Sequence, residues 1–448
     1  MDDVEARKRL AAAVPANVRE VCATLTAAGH QAVTVGGAVR DAILGRRPGD
    51  WDIATSAHPP EVLALFKRTI PTGLQHGTVT IVTGKGVDSH VEVTTFRGEG
   101  AYTDARRPDH VTFGVPLIDD LARRDLRVNA MAYDPASDQL IDPYAGRVDI
   151  VEKKLRAVGP TGDVYADAVA RFTEDGLRVM RAVRFAAVLE FELDPDTERG
   201  IIPALPSLAK VSKERISDEL DKLLRTRVPS QGLAIAERTG IIELILPELH
   251  AGFDRWASVR GSRPAAVAAW LARVDAAPRD ARLAALLVEI GDPLSDPHYR
   301  DAQLAERVDA LLRGLKFSNA EASTAANLAS VARAVEASDL TAHGTRKLFS
   351  QIGRDHAAGA VGLWKAHAPA DPTVIAEGER ILRERHPLSG KDLAIAGKDV
   401  IDALKQKPGP MIGRILAVLL DRVLVDPSLN TRDQLLALAQ QLELQVGE

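Results

Sequence analysis

Cysteine is nearly missing from this 448-residue chain. Cys22 stands alone, which excludes an intramolecular disulfide and any zinc site built from clustered cysteines. No apolar run approaches the ~20 residues needed to span a bilayer, so no membrane partner is expected. The opening stretch MDDVEARKRLAAAVP lacks the basic-then-apolar profile of a secretory signal, and the cytoplasm is the expected compartment. Fixed-period repeats and low-complexity tracts are missing as well. With 46% hydrophobic and 27% charged residues, neither wholesale disorder nor a collagen-like fibre fits the composition. Cations are in the minority, 57 Lys+Arg against 62 Asp+Glu for a net charge of −5, which taken alone disfavours a nucleic-acid partner.

What is present divides unevenly, and the length implies roughly two to four domains. Residues 15–28 have helical spacing, with Pro15 at a first turn and Gly29 as a C-cap. QAVTV (31–35) is a β-branched strand that ends at Gly36-Gly37, where the helix AVRDAILG begins. DWDIAT alternates as a strand, and HPPEVLALFKR reads as a helix with prolines in its first turn. GTVTIVTG (77–84) and HVEVTTF (90–96) form a hairpin pair around a Gly-rich turn. From about residue 165 the strand signal fades into an Ala-, Leu- and Arg-rich helical pattern punctuated by Pro and Gly. The fold class is therefore α+β: a head with a small mixed, mostly antiparallel sheet, followed by an all-α remainder.

The sharpest local signal is VGGAVRDAILGRRPGDWDIAT. A strand running into Gly36-Gly37 and then a helix offers backbone N–H groups to a phosphate, and the absent side chains allow close approach. Thirteen residues on, Asp50-Trp51-Asp52 lies on the expected strand, whose alternation puts both carboxylates on one face, about 7 Å apart. Such a pair repels itself unless a cation intervenes, and Mg²⁺, a hard ion that prefers carboxylate and phosphate oxygens, meets that demand. A Gly-Gly cradle followed by D-x-D is the arrangement expected for two-metal nucleotidyl transfer, with Asp50 and Asp52 as ligands of ions ~3.5–4 Å apart.

These residues resemble the nucleotidyltransferase superfamily to which DNA polymerase β belongs, where a third carboxylate projects from a neighbouring strand; Glu92 in HVEVTTFR is the candidate. The resemblance narrows over IPTGLQHGTVTIV, VEVTTFRGEGAYTDARRPDHVTF, DLARRDLRVNAMAYD, LIDPYAGRVDI and RFTEDGLRVMRAVRFAAVLEF. In this order they identify the chain as a member of the class II tRNA nucleotidyltransferases, the family of CCA-adding enzymes and poly(A) polymerases. The match is dense from about 30 to 225. It implies a polymerase-β-like nucleotidyltransferase head (1–155), a neck for nucleotide-base recognition (156–226), a helical body (227–330) and a tRNA-binding helical tail (331–448).

The family likeness also implies roles. Gly36, Gly37, Arg40 and Arg124 fall to the triphosphate and Asp125 to the ribose 2′-OH, with Asn129 in the same motif. Here Arg127 stands where the family usually has threonine, so no hydroxyl role is carried over. Asp175 and Arg178, three apart on one helix face, would read the Watson–Crick edge in place of a template. A carboxylate accepts from the exocyclic amine that cytosine and adenine share, while an arginine donates to ring nitrogen and carbonyl. Arg181 and Arg184 are further nucleotide-binding candidates. Tyr102, Asp104, Arg106 and Arg107 match the flexible loop that favours addition of A as well as C.

VSKERISDELDKLL (211–224) matches the neck helix, and its mixed charge reads as a solvated face. In ARLAALLVEIGDP (281–293) Val288-Glu289 replaces the His-Asp of a metal phosphohydrolase found in some relatives, so no such activity is expected. In the tail, Lys398, Lys405, Lys407, Gly409 and Arg414 are candidates for gripping the tRNA elbow through phosphates. The implied activity is transfer of CMP and AMP from CTP and ATP to the tRNA 3′ end with two Mg²⁺; no protein partner is implied. The rivals are an A-adding enzyme that completes CC-ended tRNA, a poly(A) polymerase and an inactive RNA-binding paralogue. Net charge sums over the whole surface whereas binding depends on where cations sit, so the acidic total no longer argues against RNA.

Overall fold

The computed structural model describes residues 2–86, 89–99, 111–368 and 370–446. The chain divides into two compact units, Met1–Ile245 and Leu246–Glu448.

The first unit opens with helices α1 (Asp3–Ala13) and α2 (Ala16–Ala27). Strand β1 (Ala32–Val35) then runs into α3 (Gly37–Ile43), and β2 (Asp52–Thr55) into α4 (Pro59–Leu65), as alternation and the Pro59-Pro60 start predict. Strands β3 (Thr69–Gly73), β4 (Thr78–Val82), β5 (His90–Thr95), β6 (Arg97–Glu99), β7 (Val111–Phe113), β8 (Ala132–Asp134) and β9 (Gln139–Ile141) complete the head, with helix α5 (Leu117–Ala122) between the last two pairs. Seven strands form one sheet in the order β3-β4-β5-β2-β1-β8-β9, and β6 pairs with β7 alone. All neighbours in the large sheet are antiparallel except β2 and β5. That parallel pair sets Asp52 directly against Glu92.

The expected D-x-D strand is shorter than its pattern. It begins at Asp52, and Asp50 lies in the bend before it, so alternation does not place the two carboxylates on one face. The reason is its neighbour: Asp52 pairs with Val35, the last residue of β1, and Gly36 then leaves the ladder with φ +76°. No β1 residue remains to pair with Asp50.

Under the sheet, α2 buries Val18, Val21, Cys22 and Leu25. The Cys22 thiol, fully enclosed, is pushed up to about 12 by burial, which makes it a small core hydrophobe rather than a nucleophile. Helix α6 (Gly146–Glu152) leads into the neck helices α7 (Val164–Glu174) and α8 (Leu177–Leu189). Next come α9 (Pro195–Arg199), α10 (Ile201–Leu208), α11 (Lys213–Leu224) and α12 (Ser230–Arg238). Both α11 and α12 pack on α8, so the first unit runs past the expected neck boundary at 226. A two-residue parallel ladder, Lys154–Leu155 with Glu192–Leu193, is the exception to the fading of strands after 165.

The second unit is helical throughout its described residues, from Pro247–Arg260 to Arg432–Val446. Some of its helix starts carry side-chain caps: Ser262 accepts from the Ala265 N–H, and Ser318 with Glu321 forms a reciprocal capping box. Trp256, Trp270 and Trp364 are buried within it. The last three helices close their own core of Val400, Leu404, Ile412, Ile415, Leu419, Val423 and Leu435. Among the described residues no helix is long and apolar enough to cross a membrane.

Candidate active site

Gly36 is the hinge of the head. It sits between β1 and α3 at φ +76° and ψ −134°, where an L side chain is strained, and an added Cβ would stand 2.8 Å from Arg124 Nη1. That close approach brings the Arg124 guanidinium over the turn. Around it opens a cleft of about 520 Å³ lined by Gly36, Gly37, Arg40, Asp52, Arg97, Arg123, Arg124, Asp125, Asn129, Asp175, Leu177, Arg178, Arg181, Phe185 and Arg215. Seven arginines thus face three aspartates in one concavity, which gives a chain of net negative charge a strongly cationic cleft.

Ten of the thirteen catalytic and nucleotide-binding candidates meet here, although β1, β2, the turn after α5 and the α7–α8 junction are far apart in the chain. Arg40, buried, donates through Nε to Asp41 Oδ1 at 2.8 Å and through Nη1 to Asn129 Oδ1. Asn129 Nδ2 donates to Asp125 Oδ1 at 2.9 Å. The backbone N–H of Leu126 donates to the same oxygen at 2.8 Å, and Arg181 Nε donates to Asp125 Oδ2 at 2.8 Å. Although burial opposes it, the Arg181 charge and these donors hold the Asp125 carboxyl well below the usual carboxylate range. With Arg181 Nη2 also 2.7 Å from Oδ2, four donors fill the roughly four acceptor positions of a carboxylate. Asp125 is therefore an anchor of the cleft wall as it stands, and a ribose hydroxyl has to displace one of these donors to reach it.

Sequence reasoning missed two supports of this arrangement. Asp120, 1% exposed, accepts from Arg123 and Arg124, with its oxygens 3.0 and 3.4 Å from their terminal nitrogens. The neighbouring cations outweigh burial and lower its carboxyl. Burial in turn lowers the Arg124 guanidinium, against the pull of Asp120. Phe185 lies beneath three guanidiniums, with Arg184 at 4.3 Å, Arg40 at 5.2 Å and Arg181 at 5.3 Å from its ring centroid. The signal for Asp120 was a carboxylate three and four residues before an arginine pair; nothing local marked Phe185.

Three expectations change. Glu174-Asp175-x-x-Arg178 does not lie in one helix: Asp175 ends α7 in an extended conformation, and α8 starts at Leu177, whose N–H is capped by Asp175 Oδ1 at 3.0 Å. Arg178 Nη1 pairs with Glu174 Oε2 at 2.8 Å. Both still line the cleft, because the break turns them into it. Arg184 does not line it; its Nε donates to Glu219 Oε2 at 2.6 Å. Finally, the face of α11 read as solvated carries that buried Glu219, and Arg215 reaches into the cleft.

Of the three candidate metal-holding carboxylates only Asp52 lines the cleft; Glu92 is its in-register neighbour and Asp50 is exposed in the preceding bend. Desolvation raises the Asp52 carboxyl to about 6, the Glu92 and Asp50 charges add to the rise, and Arg124 opposes it. No preformed cluster of three or more metal-ligating side chains occurs among the described residues. The donor chemistry nevertheless fits a hard divalent cation: mutually repelling carboxylates on adjacent strands are relieved by one. Tyr102, Asp104, Arg106 and Arg107 lie outside the described residues. In the tail, Lys398, Lys405, Lys407, Gly409 and Arg414 are all exposed, the first on the helix Gly397–Leu404 and the last on Pro410–Val425, which Gly409 caps.

Known proteins with this arrangement point one way. The family model for the poly A polymerase head domain matches residues 32–156, that for the RNA and SrmB-binding site of polymerase A matches 190–253, and that for tRNA nucleotidyltransferase domain 2 matches 301–439. A CCA-adding enzyme of Lactococcus lactis subsp. cremoris is 36% identical over 93% of this chain and 94% of its own length. The CCA-adding enzyme of Geobacillus stearothermophilus is 38% identical over 87% of each. The crystal structure of the Bacillus stearothermophilus CCA-adding enzyme in complex with CTP superposes with a TM-score of 0.73 at 31% identity, covering 96% of this chain and 97% of that one. Likeness of this extent, running through head, neck and tail, shows that the chain belongs to the class II tRNA nucleotidyltransferases.

Proposed function

We propose that this chain is a cytoplasmic, template-independent enzyme that adds CMP and AMP, from CTP and ATP, to the 3′ end of tRNA and releases pyrophosphate. The observation that carries the reading is the single cleft in which Asp52, the Gly36 turn and the Asp175–Arg178 pair meet under seven arginines. Triphosphate-binding, metal-holding and base-reading chemistry thus lie within one nucleotide's reach.

Asp50 and Asp52 would hold two Mg²⁺, with Glu92 beside them. When bound, such ions lower the pKa of the attacking ribose hydroxyl and neutralise charge on the triphosphate. The remaining roles fall to side chains. Arg124, propped by Asp120 over the Gly36 turn, and Arg40, propped by Asn129, present fixed cations to the phosphates. Arg181 is the donor that a ribose hydroxyl displaces on Asp125. Asp175 accepts the exocyclic amine of cytosine or adenine, while Arg178, braced by Glu174, donates to the ring edge. Exposed tail cations hold the tRNA away from its reacting end, reading shape rather than sequence.

Three RNAs test this reading: a tRNA transcript lacking CCA, one ending in CC, and an unrelated RNA, each given CTP, ATP or both. The expected outcome is three added residues on the first with both nucleotides, one on the second with ATP, and none on the third. ATP-dependent addition confined to the CC-ended transcript would indicate an A-adding enzyme. Long A tails on any RNA would indicate a poly(A) polymerase, and no addition an inactive paralogue.

A further inference from the structure

Arg215 is the one cleft arginine contributed by α11, forty residues beyond the carboxylate it meets. Its Nη2 donates to Asp175 Oδ2 at 3.1 Å, while the Leu177 N–H donates to Asp175 Oδ1 at 3.0 Å. The Asp175 carboxylate is thereby pinned through each oxygen by a different element, the start of α8 and the start of α11. Neither partner is loose on the surface, with the Arg215 side chain 32% and Asp175 18% exposed. The other terminal nitrogen, Nη1, is buried without a hydrogen-bond partner. An orphaned guanidinium donor carries a desolvation cost that an ordinary surface ion pair escapes by turning into water. A side chain held at such a cost against a cleft carboxylate marks a place where geometry is under constraint.

We propose that Arg215 is a positioning residue for base selection. It fixes the direction of the free Asp175 lone pairs, so that the cleft takes bases presenting an exocyclic amine and refuses uracil, whose carbonyl there meets an acceptor. This inference rests on the reading of Asp175 as the base-contacting carboxylate. A site built to hydrogen-bond one group rejects the base lacking it because its own polar group is left unpaired, and that rejection holds only while the carboxylate cannot rotate away.

The test is kcat/KM for CMP and for UMP addition to a tRNA lacking CCA, measured for the parent, Arg215→Ala, Arg215→Lys, Asp175→Ala and the Asp175→Ala/Arg215→Ala double variant. Arg215→Ala should lower the CTP:UTP ratio on the order of tenfold, about the discrimination one hydrogen bond supplies, mainly through KM for CTP. Arg215→Lys, which keeps a cationic donor, should recover part of it. The double variant should be no less selective than Asp175→Ala. Equal losses toward CTP and UTP in both Arg215 variants overturn the proposal, as does a loss that adds in full to that of Asp175→Ala. A ratio unchanged in Asp175→Ala removes the base-reading role of Asp175 itself. A ratio lowered there but not in either Arg215 variant removes only the inference about Arg215. The lysine variant serves if the alanine variant does not fold.

Discussion

Two ion pairs, one in each unit, show opposite uses of the same chemistry. In the helical unit, Arg273 and Glu289 are joined with side chains 2% and 1% exposed, and Arg273 Nε also donates to the Ala285 carbonyl. In the head and neck, Asp125 is 4% exposed but its partner Arg181 is 36% exposed and faces the cleft. The sealed pair has almost no access to solvent. Val288, next to Glu289 in the chain, is wholly buried as well. The open pair holds one member rigid so that the other can be offered to a ligand. Desolvation without access makes a structural element, whereas a buried anchor with an accessible cation makes a binding wall.

The comparison can be broken in four places, in falling order of effect. Asp52→Ala should reduce CMP incorporation more than about 1000-fold, the scale of removing a group that acts as part of a catalytic unit. Its tRNA affinity, read by filter binding, should stay near the parent's. Glu289→Ala should strand Arg273 and destabilise the helical unit by about 3–5 kcal/mol. Denaturant unfolding followed by the fluorescence of Trp256, Trp270 and Trp364 reads this loss, and transfer well below the melting point should be unchanged.

Asp125→Asn should cost about 1.5–3 kcal/mol at pH 7, the worth of hydrogen bonds to a charged group. Because the folded carboxyl is depressed below its unfolded value of about 3.9, its contribution is present above that pH and lost as pH falls toward the folded value. The stability gap between parent and Asp125→Asn should therefore narrow below about pH 4, and a gap constant from pH 7 to pH 3 would contradict the anchoring role. The smallest effect belongs to the tail. Lys405→Ala/Lys407→Ala should weaken tRNA binding uniformly across tRNA sequences and reduce the slope of log affinity against log salt by about one per lysine that contacts phosphate.

Much of the head was legible because its signals are local. Alternation marked β4 and β5, the Gly36-Gly37 junction marked the turn from β1 into α3, and Pro59-Pro60 marked the start of α4. The Asp50–Asp52 strand was over-read: β2 begins only at Asp52, where on one side β1 ends at Val35 and Gly36 leaves the ladder. The Asp175–Arg178 face was over-read as well: helical spacing continues through residues 174–178, but Asp175 caps α8 instead of continuing α7. Asp125 was visible as a polar residue beside an arginine pair, yet nothing local announced that four donors would saturate it.

By itself the sequence determined the kinds of group available and the elements that carry them, because caps, alternation and helical spacing act over a few neighbouring residues. It also determined the family, through motifs that run in order along most of the chain. Which cation meets which carboxylate was decided only in the tertiary structure. Glu174 took Arg178, Arg215 crossed from α11 to Asp175, and Glu219 drew Arg184 out of the cleft. Ion pairing and hydrogen bonding act over a few ångströms, and segments forty residues apart come that close only when helices pack. The cationic cleft on a chain of net charge −5 has the same origin: packing gathers seven arginines around one concavity, and no count of residues contains that fact.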